Sequence, residues 1–288
     1  MIIRLSISVR LEMMKLLDGS ELAAYIKERQ AKQVRGLRQQ WQVLPKLAIV
    51  QTSDSPVIAT YVRLKQAYGE DILIDVEFYK SNEDEALTRI AELNSDDNVH
   101  GIIVQLPLAD ESRTDELLQS VAPEKDVDAL ASSAYFDAAT PMAINWLLAG
   151  YNVDLQRKKI VLVGEGRLVG APLADMWRNS GYDIAVVSEP SDDLKAIIQA
   201  ADVVVTATGV PGLITTDMLR PETVVVDAGT ASEGGKIVGD VAPEVRERHD
   251  LVITPEKGGV GPLTICALFD NVIRSARRVA TQQDQEST

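Results

Sequence analysis

Two groups of residues in this sequence have the types and spacing that chemistry at a sheltered site requires. Tyr61 and Lys65 are four residues apart in a segment predicted to be helical, so their side chains share one face. A lysine in a partly dry pocket has a lowered pKa and can carry a proton near neutral pH. The spacing leaves an ordinary alternative open, in which the tyrosine packs and the lysine is solvated.

The second group is the glycine-rich segment Gly164 to Gly170, which reads GEGRLVG. It follows an apolar strand and precedes a predicted helix, the setting in which glycines bring the backbone close to a pyrophosphate. Its glycines are spaced one residue wider than in the commonest dinucleotide-binding pattern. The segment alone is compatible with either a dinucleotide site or a plain tight turn.

Glu189 closes the next predicted strand after this segment. An acidic side chain at that point can accept hydrogen bonds from the ribose hydroxyls of an adenine dinucleotide, and it would repel a 2′-phosphate. An ordinary surface glutamate in a loop is the alternative interpretation. The glycine-rich segment beside it favours the dinucleotide site.

The composition excludes several other kinds of site. With 2 histidines and 1 cysteine in 288 residues, neither a Cys/His zinc cage nor a histidine-based triad is expected. The net charge of −14 disfavours binding to nucleic acid and to anionic membranes. No apolar run reaches the roughly 20 residues that cross a bilayer. We therefore expect no binding to nucleic acid or to a membrane. The single cysteine, Cys266, allows no intrachain disulfide, which fits a reducing cytosol, so we expect a cytoplasmic protein.

The elements that must position these residues are strands that alternate with helices, which predicts parallel sheets with right-handed crossovers. Strands are expected at 46–51, 72–79, 101–106, 159–163, 183–187, 201–206, 223–227 and 251–253. Helices are expected at 21–41 with Ser20 as its cap, at 60–69, after Ser81, near 114–121, from the glycine segment to about 179, from Ser191, and at 262–280.

This pattern restarts after a junction near residues 138–150, which indicates an α/β fold of two domains. We expect a first domain formed by residues 14–140 together with a returning C-terminal helix at 263–282. Residues 141–262 are expected to form a second domain with a Rossmann-like parallel sheet. Residues 1–13 are interpreted as an extension without a catalytic role.

Longer motifs in the right order resemble the bifunctional methylenetetrahydrofolate dehydrogenase/cyclohydrolase family (the FolD type), from about Leu17 to the final helix. The motifs are LDG at 17–19, YVRLK at 61–65, VHGIIVQLPL at 99–108, PEKDVD at 123–128, LVGAPLA at 168–174, GVPG at 209–212, VGDV at 238–241 and GGVGPLT at 258–264. Such enzymes oxidise 5,10-methylenetetrahydrofolate with a nicotinamide cofactor. They then hydrolyse the 5,10-methenyl product to 10-formyltetrahydrofolate in the same cleft.

The resemblance implies roles for individual residues. Lys65 is the implied catalytic lysine, Gln105 orients or tunes it, and Tyr61 stacks on the folate. Asp128 is implied to anchor the pterin ring, whose paired N–H donors match the two acceptors of a carboxylate. The implied folate contacts also include Gly258, Gly259 and Pro262. The implied cofactor contacts are Gly164, Glu165, Gly166, Arg167, Gly170, Ser188, Glu189, Ala207, Gly209 and Thr230.

Further properties are implied by the same resemblance. The cofactor is NAD or NADP, and no metal is expected. The substrates are tetrahydrofolate derivatives, which connects the protein to one-carbon metabolism and purine biosynthesis. A homodimer formed through the second domain is expected.

The departures from the family pattern lie mainly on the cofactor side. The family often has G-R-S-x-x-V-G, so Glu165 stands where an arginine in many members meets the 2′-phosphate of NADP. With Glu189, it puts two acids where NADP would bring a phosphate, and repulsion at about 4 Å is worth roughly 1 to 4 kcal/mol. These charges favour NAD over NADP. Arg167 is the counterweight, because its side chain could swing to the phosphate.

Other departures lie in the folate cleft. Ala129 and Ala143 replace glycines of the family pattern, and a β-carbon disfavours backbone conformations with positive φ. Ile58 stands where a serine is usual. Three functions stay open: an active bifunctional enzyme that favours NAD, a cyclohydrolase-only enzyme with a degraded cofactor site, and a non-catalytic member that binds folate or a partner.

Overall fold

The computed structural model describes residues 15–54, 56–188, 193–233 and 236–286. Its first elements are β1 (Lys15–Leu16), α1 (Gly19–Gln40), β2 (Lys46–Gln51), α2 (Pro56–Ile72), β3 (Asp75–Lys80), α3 (Glu83–Ser95), β4 (Gly101–Gln105), α4 (Thr114–Gln119) and α5 (Ala139–Gly150). They are followed by β5 (Ile160–Val163), α6 (Gly170–Asn179), β6 (Ile184–Val187), α7 (Leu194–Gln199), β7 (Val203–Thr206), β8 (Val224–Asp227), β9 (Ala231–Glu233), β10 (Lys236–Val238), β11 (Val252–Ile253) and α8 (Val260–Glu286). Glu189, the predicted helix start at Ser191 and the predicted extension lie outside the described residues.

Two parallel sheets organise the molecule. The smaller one has the strand order β3-β2-β4, and the larger one has the order β1-β11-β8-β7-β5-β6. Strands β9 and β10 pair antiparallel in a separate two-stranded sheet. The two-domain α/β fold with a Rossmann-like second sheet, expected from the sequence, is thereby confirmed.

The central strands explain why both sheets form. In β2, every residue after Lys46 is buried, and all four residues of β7 are buried. A continuous apolar run of this kind suits a parallel sheet whose two faces are both covered by helices. Burial on both faces therefore holds the carboxyl edges of the strands, where side chains can reach a ligand, in fixed positions.

The long C-terminal helix α8 returns to the first domain, as the sequence predicts. It packs along α1 and α5 and also contacts α2 and β4. Leu263, Cys266, Phe269 and Val272 on this helix are fully buried. Their spacing of three residues places them along one apolar stripe of α8 that faces the core.

Two helix starts differ from the prediction because the capping residues differ. Asp18, not Ser20, caps α1: its Oδ1 accepts hydrogen bonds from the backbone N–H groups of Ser20 at 2.9 Å and Glu21 at 3.1 Å. Asn82, not Ser81, caps α3, and its Oδ1 accepts a 3.0 Å bond from the N–H of Glu85. A carboxylate or amide oxygen occupies the capping position in both cases.

The predicted junction at 138–150 contains the helix α5, which the sequence pattern did not predict and most of which is buried. Ala143 is therefore helical, and its β-carbon causes no strain. Ala129 is different, because its φ is 56° and it lies in the left-handed region that glycine prefers.

Strand β1 pairs with β11 at one edge of the larger sheet. The chain therefore contributes to the second sheet before it builds the first one, and the domain boundaries stay a prediction. Among the residues that the structure describes, no helix combines the length and the apolar character needed to cross a membrane.

Candidate active site

Lys65 and Gln105 meet at the carboxyl edge of the smaller sheet. The Nζ of Lys65, on α2, donates a 2.9 Å hydrogen bond to Oε1 of Gln105, the last residue of β4. The Nε2 of Gln105 donates in turn to the carbonyl of Leu106 at 3.0 Å. That second bond fixes the amide so that its oxygen faces the lysine.

The position of Lys65 follows from how α2 packs. Ile58 and Val62 are buried in the core, which orients the opposite helical face outward. Tyr61 and Lys65 lie one turn apart beside that core face, and both are half-buried. The predicted sharing of a face by these two residues is therefore realised in the structure, and burial raises the pKa of Tyr61.

Lys65 and Asp128 influence each other electrostatically. Burial lowers the pKa of Lys65, while the negative charge of Asp128 acts in the opposite direction. Burial raises the pKa of Asp128, and the positive charge of Lys65 opposes that rise. Burial thus disfavours the ammonium form of Lys65 and favours the neutral amine, which is the form that can accept a proton.

The loop that carries Asp128 is held by its neighbours in the PEKDVD motif. Asp126 accepts hydrogen bonds from the backbone N–H groups of Ala129 at 3.0 Å and Ala131 at 2.8 Å. Lys125 donates from Nζ to three backbone carbonyls at the end of α3, those of Leu93, Asn94 and Asp96. Burial raises the pKa of Asp126 to about 6. The motif therefore supplies its own scaffold as well as Asp128, whose charge acts on the lysine.

The Gly258–Gly259 loop packs against the start of α1. The N–H of Ser20 donates to the carbonyl of Gly258 at 2.9 Å, and Gly258 has a φ of 85°. A β-carbon on Gly19 would lie 1.8 Å from the carbonyl oxygen of Gly259. The LDG and GGVGPLT motifs are therefore structural partners, and Pro262 follows in the first turn of α8.

The glycine segment after β5 forms a tight cradle. A β-carbon on Gly170 would lie 2.1 Å from the carbonyl oxygen of Gly164, and one on Gly164 would lie 2.6 Å from the carbonyl oxygen of Ala207. Gly164 also has a φ of 101°. Gly166, in contrast, has no atom within 4 Å of its β-position, so open space lies above the loop. Two packed glycines and one facing open space fit the close approach of a pyrophosphate to backbone N–H groups.

Other predicted cofactor contacts lie at the same edge of the larger sheet. Ala207 follows β7, and its N–H donates to the carbonyl of Val163 at the end of β5. Gly209 has a φ of 71°, and its β-position is 3.5 Å from the carbonyl oxygen of Thr230 after β8. Strand β6 lies on one side of β5, and the next strand in the chain, β7, lies on its other side. Open α/β sheets bind ligands at such a switch in strand order.

The charged side chains of the glycine segment both have partners. Oε2 of Glu165 accepts a 2.6 Å hydrogen bond from the hydroxyl of Ser188 at the end of β6. Arg167 forms an ion pair with Asp115 on α4, which belongs to the first domain. Arg167, the counterweight that the sequence suggests, would therefore have to leave this exposed ion pair to reach a phosphate.

Sequence reasoning missed several residues beside the cradle. Asp240 is buried and accepts hydrogen bonds from the hydroxyl of Thr206 at 2.6 Å and the N–H of Thr208 at 2.7 Å. Asp227 accepts from the N–H of Asp240 and pairs with Arg246 at 2.6 Å. Asp240 belongs to the VGDV motif at 238–241. That motif was the sequence feature that could have indicated its role in supporting the cradle.

Two family models account for most of the chain. The tetrahydrofolate dehydrogenase/cyclohydrolase catalytic domain matches residues 17–128, and the NAD(P)-binding domain of the same family matches residues 138–280. The chain belongs to the tetrahydrofolate dehydrogenase/cyclohydrolase family. The resemblance inferred from the motifs is confirmed, and in this dehydrogenase/cyclohydrolase the glycine cradle lies within the NAD(P)-binding domain.

Relatives of this dehydrogenase/cyclohydrolase are similar along nearly their whole length. The bifunctional protein FolD of Campylobacter jejuni is 37% identical over 279 residues, which cover 92% of this chain and 99% of the relative. The crystal structure of the Campylobacter jejuni FolD enzyme has a TM-score of 0.86 at 36% identity and covers 92% of this chain and 99% of its own. The Trypanosoma brucei enzyme, crystallised with NADP and an inhibitor, has a TM-score of 0.86 at 26% identity and covers 92% of this chain and 98% of its own.

Proposed function

We propose that this family member oxidises 5,10-methylenetetrahydrofolate to the 5,10-methenyl form, hydrolyses that product to 10-formyltetrahydrofolate, and prefers NAD to NADP. The observation that carries the proposal is the Lys65–Gln105 hydrogen bond in electrostatic reach of Asp128. Relatives that match nearly the whole chain are named as bifunctional enzymes of this kind.

In the oxidation step, the residues of the chain bind and orient. Tyr61 stacks on the folate, and Asp128 accepts hydrogen bonds from the paired N–H donors of the pterin ring. The backbone from Gly164 to Gly170 would hold the pyrophosphate of the dinucleotide through its N–H groups. The cofactor supplies the hydride-accepting ring, which no side chain can replace.

In the hydrolysis step, Lys65 moves the proton. Water attacks the methenyl carbon, and Lys65 in its neutral form accepts a proton from that water as the new carbon–oxygen bond forms. The hydroxyl of the resulting intermediate then loses its proton as the formyl carbonyl forms, the bond from this carbon to N5 breaks and N5 is protonated, so that one water is consumed and one proton is released in total. The cationic substrate disfavours a neighbouring ammonium, and burial acts in the same direction. Gln105 keeps the amine aimed at the cleft.

The NAD preference is supported by the charges around the cradle. Glu165 replaces the arginine of the common family pattern, and its bond with Ser188 holds it at the end of β6. Arg167, the cation of the same loop, is engaged by Asp115. A 2′-phosphate would therefore approach the Glu165 carboxylate, and Arg167 would have to give up its pair with Asp115 to neutralise it.

An assay of the purified protein tests the proposal. Oxidation of methylenetetrahydrofolate is measured with NAD and NADP side by side, and hydrolysis of methenyltetrahydrofolate is measured separately. We expect both reactions, with the higher kcat/KM for NAD. Equal rates or a preference for NADP would refute the charge argument, and hydrolysis without reduction of either cofactor would indicate a cyclohydrolase-only enzyme. Absence of both reactions would indicate a non-catalytic member.

The cellular setting is part of the same proposal. As the family resemblance implies, the protein acts in the cytoplasm as a homodimer and supplies 10-formyltetrahydrofolate to purine biosynthesis. Light scattering coupled to size-exclusion chromatography tests the dimer. A monomer at assay concentration would contradict that part of the proposal while leaving the chemistry intact.

A further inference from the structure

The C-terminal helix α8 holds the loop of Asp128 with a polar face. Four residues of that face are spaced at i, i+3, i+4 and i+7, and all contact the segment 124–137. They are Asn271, which bonds backbone carbonyls, Arg274 over the ring of Phe136, Ser275 bonded to the carbonyl of Glu124, and Arg278 over the ring of Tyr135. Helix α8 therefore contacts the loop that carries Asp128 along two helical turns.

Asn271 makes the contact nearest to Asp128. Its Nδ2 donates to the carbonyls of Val127 and Asp137, each at 2.9 Å, and the residue is fully buried. Its Oδ1 accepts a 3.2 Å bond from Arg274, which fixes which end of the amide faces the carbonyls. Val127 directly precedes Asp128, so the amide anchors the backbone next to the carboxylate.

The other neighbour of Asp128 is strained. Ala129 has a φ of 56°, and its N–H is held by Asp126 at 3.0 Å. A residue with a β-carbon keeps such a conformation only where its surroundings impose it. Asp128 thus lies between one anchored residue and one strained residue, and the direction of its side chain depends on both restraints.

We infer that Asn271 is a positioning residue for Asp128, and that its amide sets the direction in which the carboxylate meets the pterin. The inference rests on the proposed function, in which Asp128 binds the pterin ring. Asn271 does not touch the substrate; it acts through the backbone of Val127. The expected consequence is an effect on KM for the folate substrate rather than on the chemical step.

The chain contains a matched control. Asn94 also bridges two backbone groups of the first domain, with Nδ2 donating to the carbonyl of Ser120 at 2.8 Å and Oδ1 accepting from the N–H of Ala122 at 2.9 Å. It supports the distant end of the same connection. Replacing Asn94 removes two comparable hydrogen bonds without disturbing either neighbour of Asp128.

The experiment compares Asn271→Ala, Asn94→Ala and Asp128→Asn in the full-length protein, assayed below their melting temperatures. We expect Asn271→Ala to raise KM for methenyltetrahydrofolate about tenfold while kcat stays within about threefold. Asn94→Ala should lose similar thermal stability and keep the wild-type KM. Asp128→Asn should raise KM at least as much as Asn271→Ala.

The pH dependence of KM provides a second test, because a general loss of stability would not shift it. Burial raises the pKa of Asp128, and folate binding uses its ionised form. A carboxylate turned towards water loses part of that rise. The acid limb of 1/KM should therefore move to lower pH in Asn271→Ala and stay in place in Asn94→Ala.

Arg274→Ala is the alternative variant if Asn271→Ala does not fold, because Arg274 is exposed and its contacts with this region are the bond that orients the amide and the stacking over Phe136. It should raise KM about threefold. An unchanged KM in the folded variant, or an equal rise in Asn94→Ala, would overturn the inference. If Asp128→Asn itself leaves KM unchanged, the assignment of Asp128 in the proposed function fails instead.

Discussion

The two proposed ligand sites, one for folate and one for the dinucleotide, differ in what they share with the family pattern. On the folate side, the side chains of the family pattern are kept and meet in space, as in the Lys65–Gln105 hydrogen bond. On the dinucleotide side, the backbone geometry is kept through Gly164 and Gly170, whereas the charged side chains differ from the pattern. The protein has thus retained functional groups at one wall and conformation at the other.

The physical reason lies in what each ligand requires. Proton transfer and pterin recognition need specific side-chain atoms at fixed positions, so few substitutions preserve them. A pyrophosphate binds to backbone N–H groups and to the start of a helix, which any sequence with the right glycines provides. Side chains around the glycine cradle are therefore free to change and can set which dinucleotide is preferred.

The largest expected effect is at the folate wall. Lys65→Met removes the amine and keeps most of the apolar length, so we expect the cyclohydrolase kcat to fall by about 10² to 10⁴. Dinucleotide binding, measured by fluorescence titration, should be unchanged because the cradle lies in the other domain. Unchanged turnover would remove Lys65 from the mechanism and favour a non-catalytic role.

A smaller effect is expected at the dinucleotide wall. Glu165→Gln keeps an acceptor for the Ser188 hydroxyl and removes one charge, so the ratio of kcat/KM for NADP to that for NAD should rise about tenfold. Glu244→Gln, an exposed substitution in the same domain, is the control and should leave the ratio unchanged. An unchanged ratio in Glu165→Gln would show that the charge of Glu165 does not discriminate between NAD and NADP.

The contact between the two walls should matter less. Asp115→Asn releases Arg167 from an exposed ion pair, and such pairs are worth about 0.2 to 1 kcal/mol. We expect the NADP kcat/KM to rise by up to about fivefold at low salt, with the NAD value little changed. The gain should shrink at high ionic strength, and a gain that is insensitive to salt would contradict an electrostatic origin.

The smallest effect concerns strain at the folate wall. Ala129→Gly removes the β-carbon at a φ of 56°, and the relief should outweigh the added freedom of the unfolded chain by about 0.5 to 1 kcal/mol. Chemical denaturation measures this gain in the free energy of unfolding. Ala143→Gly is the opposite control, because Ala143 is helical and the change should destabilise. A loss of stability in Ala129→Gly would mean that the β-carbon contributes packing that exceeds the strain.

Helices and strands whose apolar residues follow a clear pattern were predictable from the sequence, and those without such a pattern were not. Strand β2 lies where its buried apolar run predicts it, at Lys46–Gln51. Helix α5 was missed because it is buried on most sides, so its sequence lacks the polar face that marks a helix. Helix α2 extends through Ile72, where alternation alone predicted a strand, because helical packing overrides a short local pattern.

The pairs within the site were predictable only in part. Motif order indicated that Lys65, Gln105 and Asp128 belong together, because each motif is long and specific. No local pattern indicates that Arg167 meets Asp115 or that Asn271 supports Val127. Those contacts join segments far apart in the chain, and they exist only once the helices are docked.

What the sequence by itself determined is the order of strands and helices, the glycine cradle and the set of polar residues at the folate wall, because local periodicity and residue chemistry are written along the chain. Only the tertiary structure decided which charges are free and which are engaged. Side-chain partners such as Ser188 for Glu165, Asp115 for Arg167 and Arg274 for Asn271 depend on how elements approach in space. Electrostatics and burial act over distances through space, and spacing along the chain does not encode them.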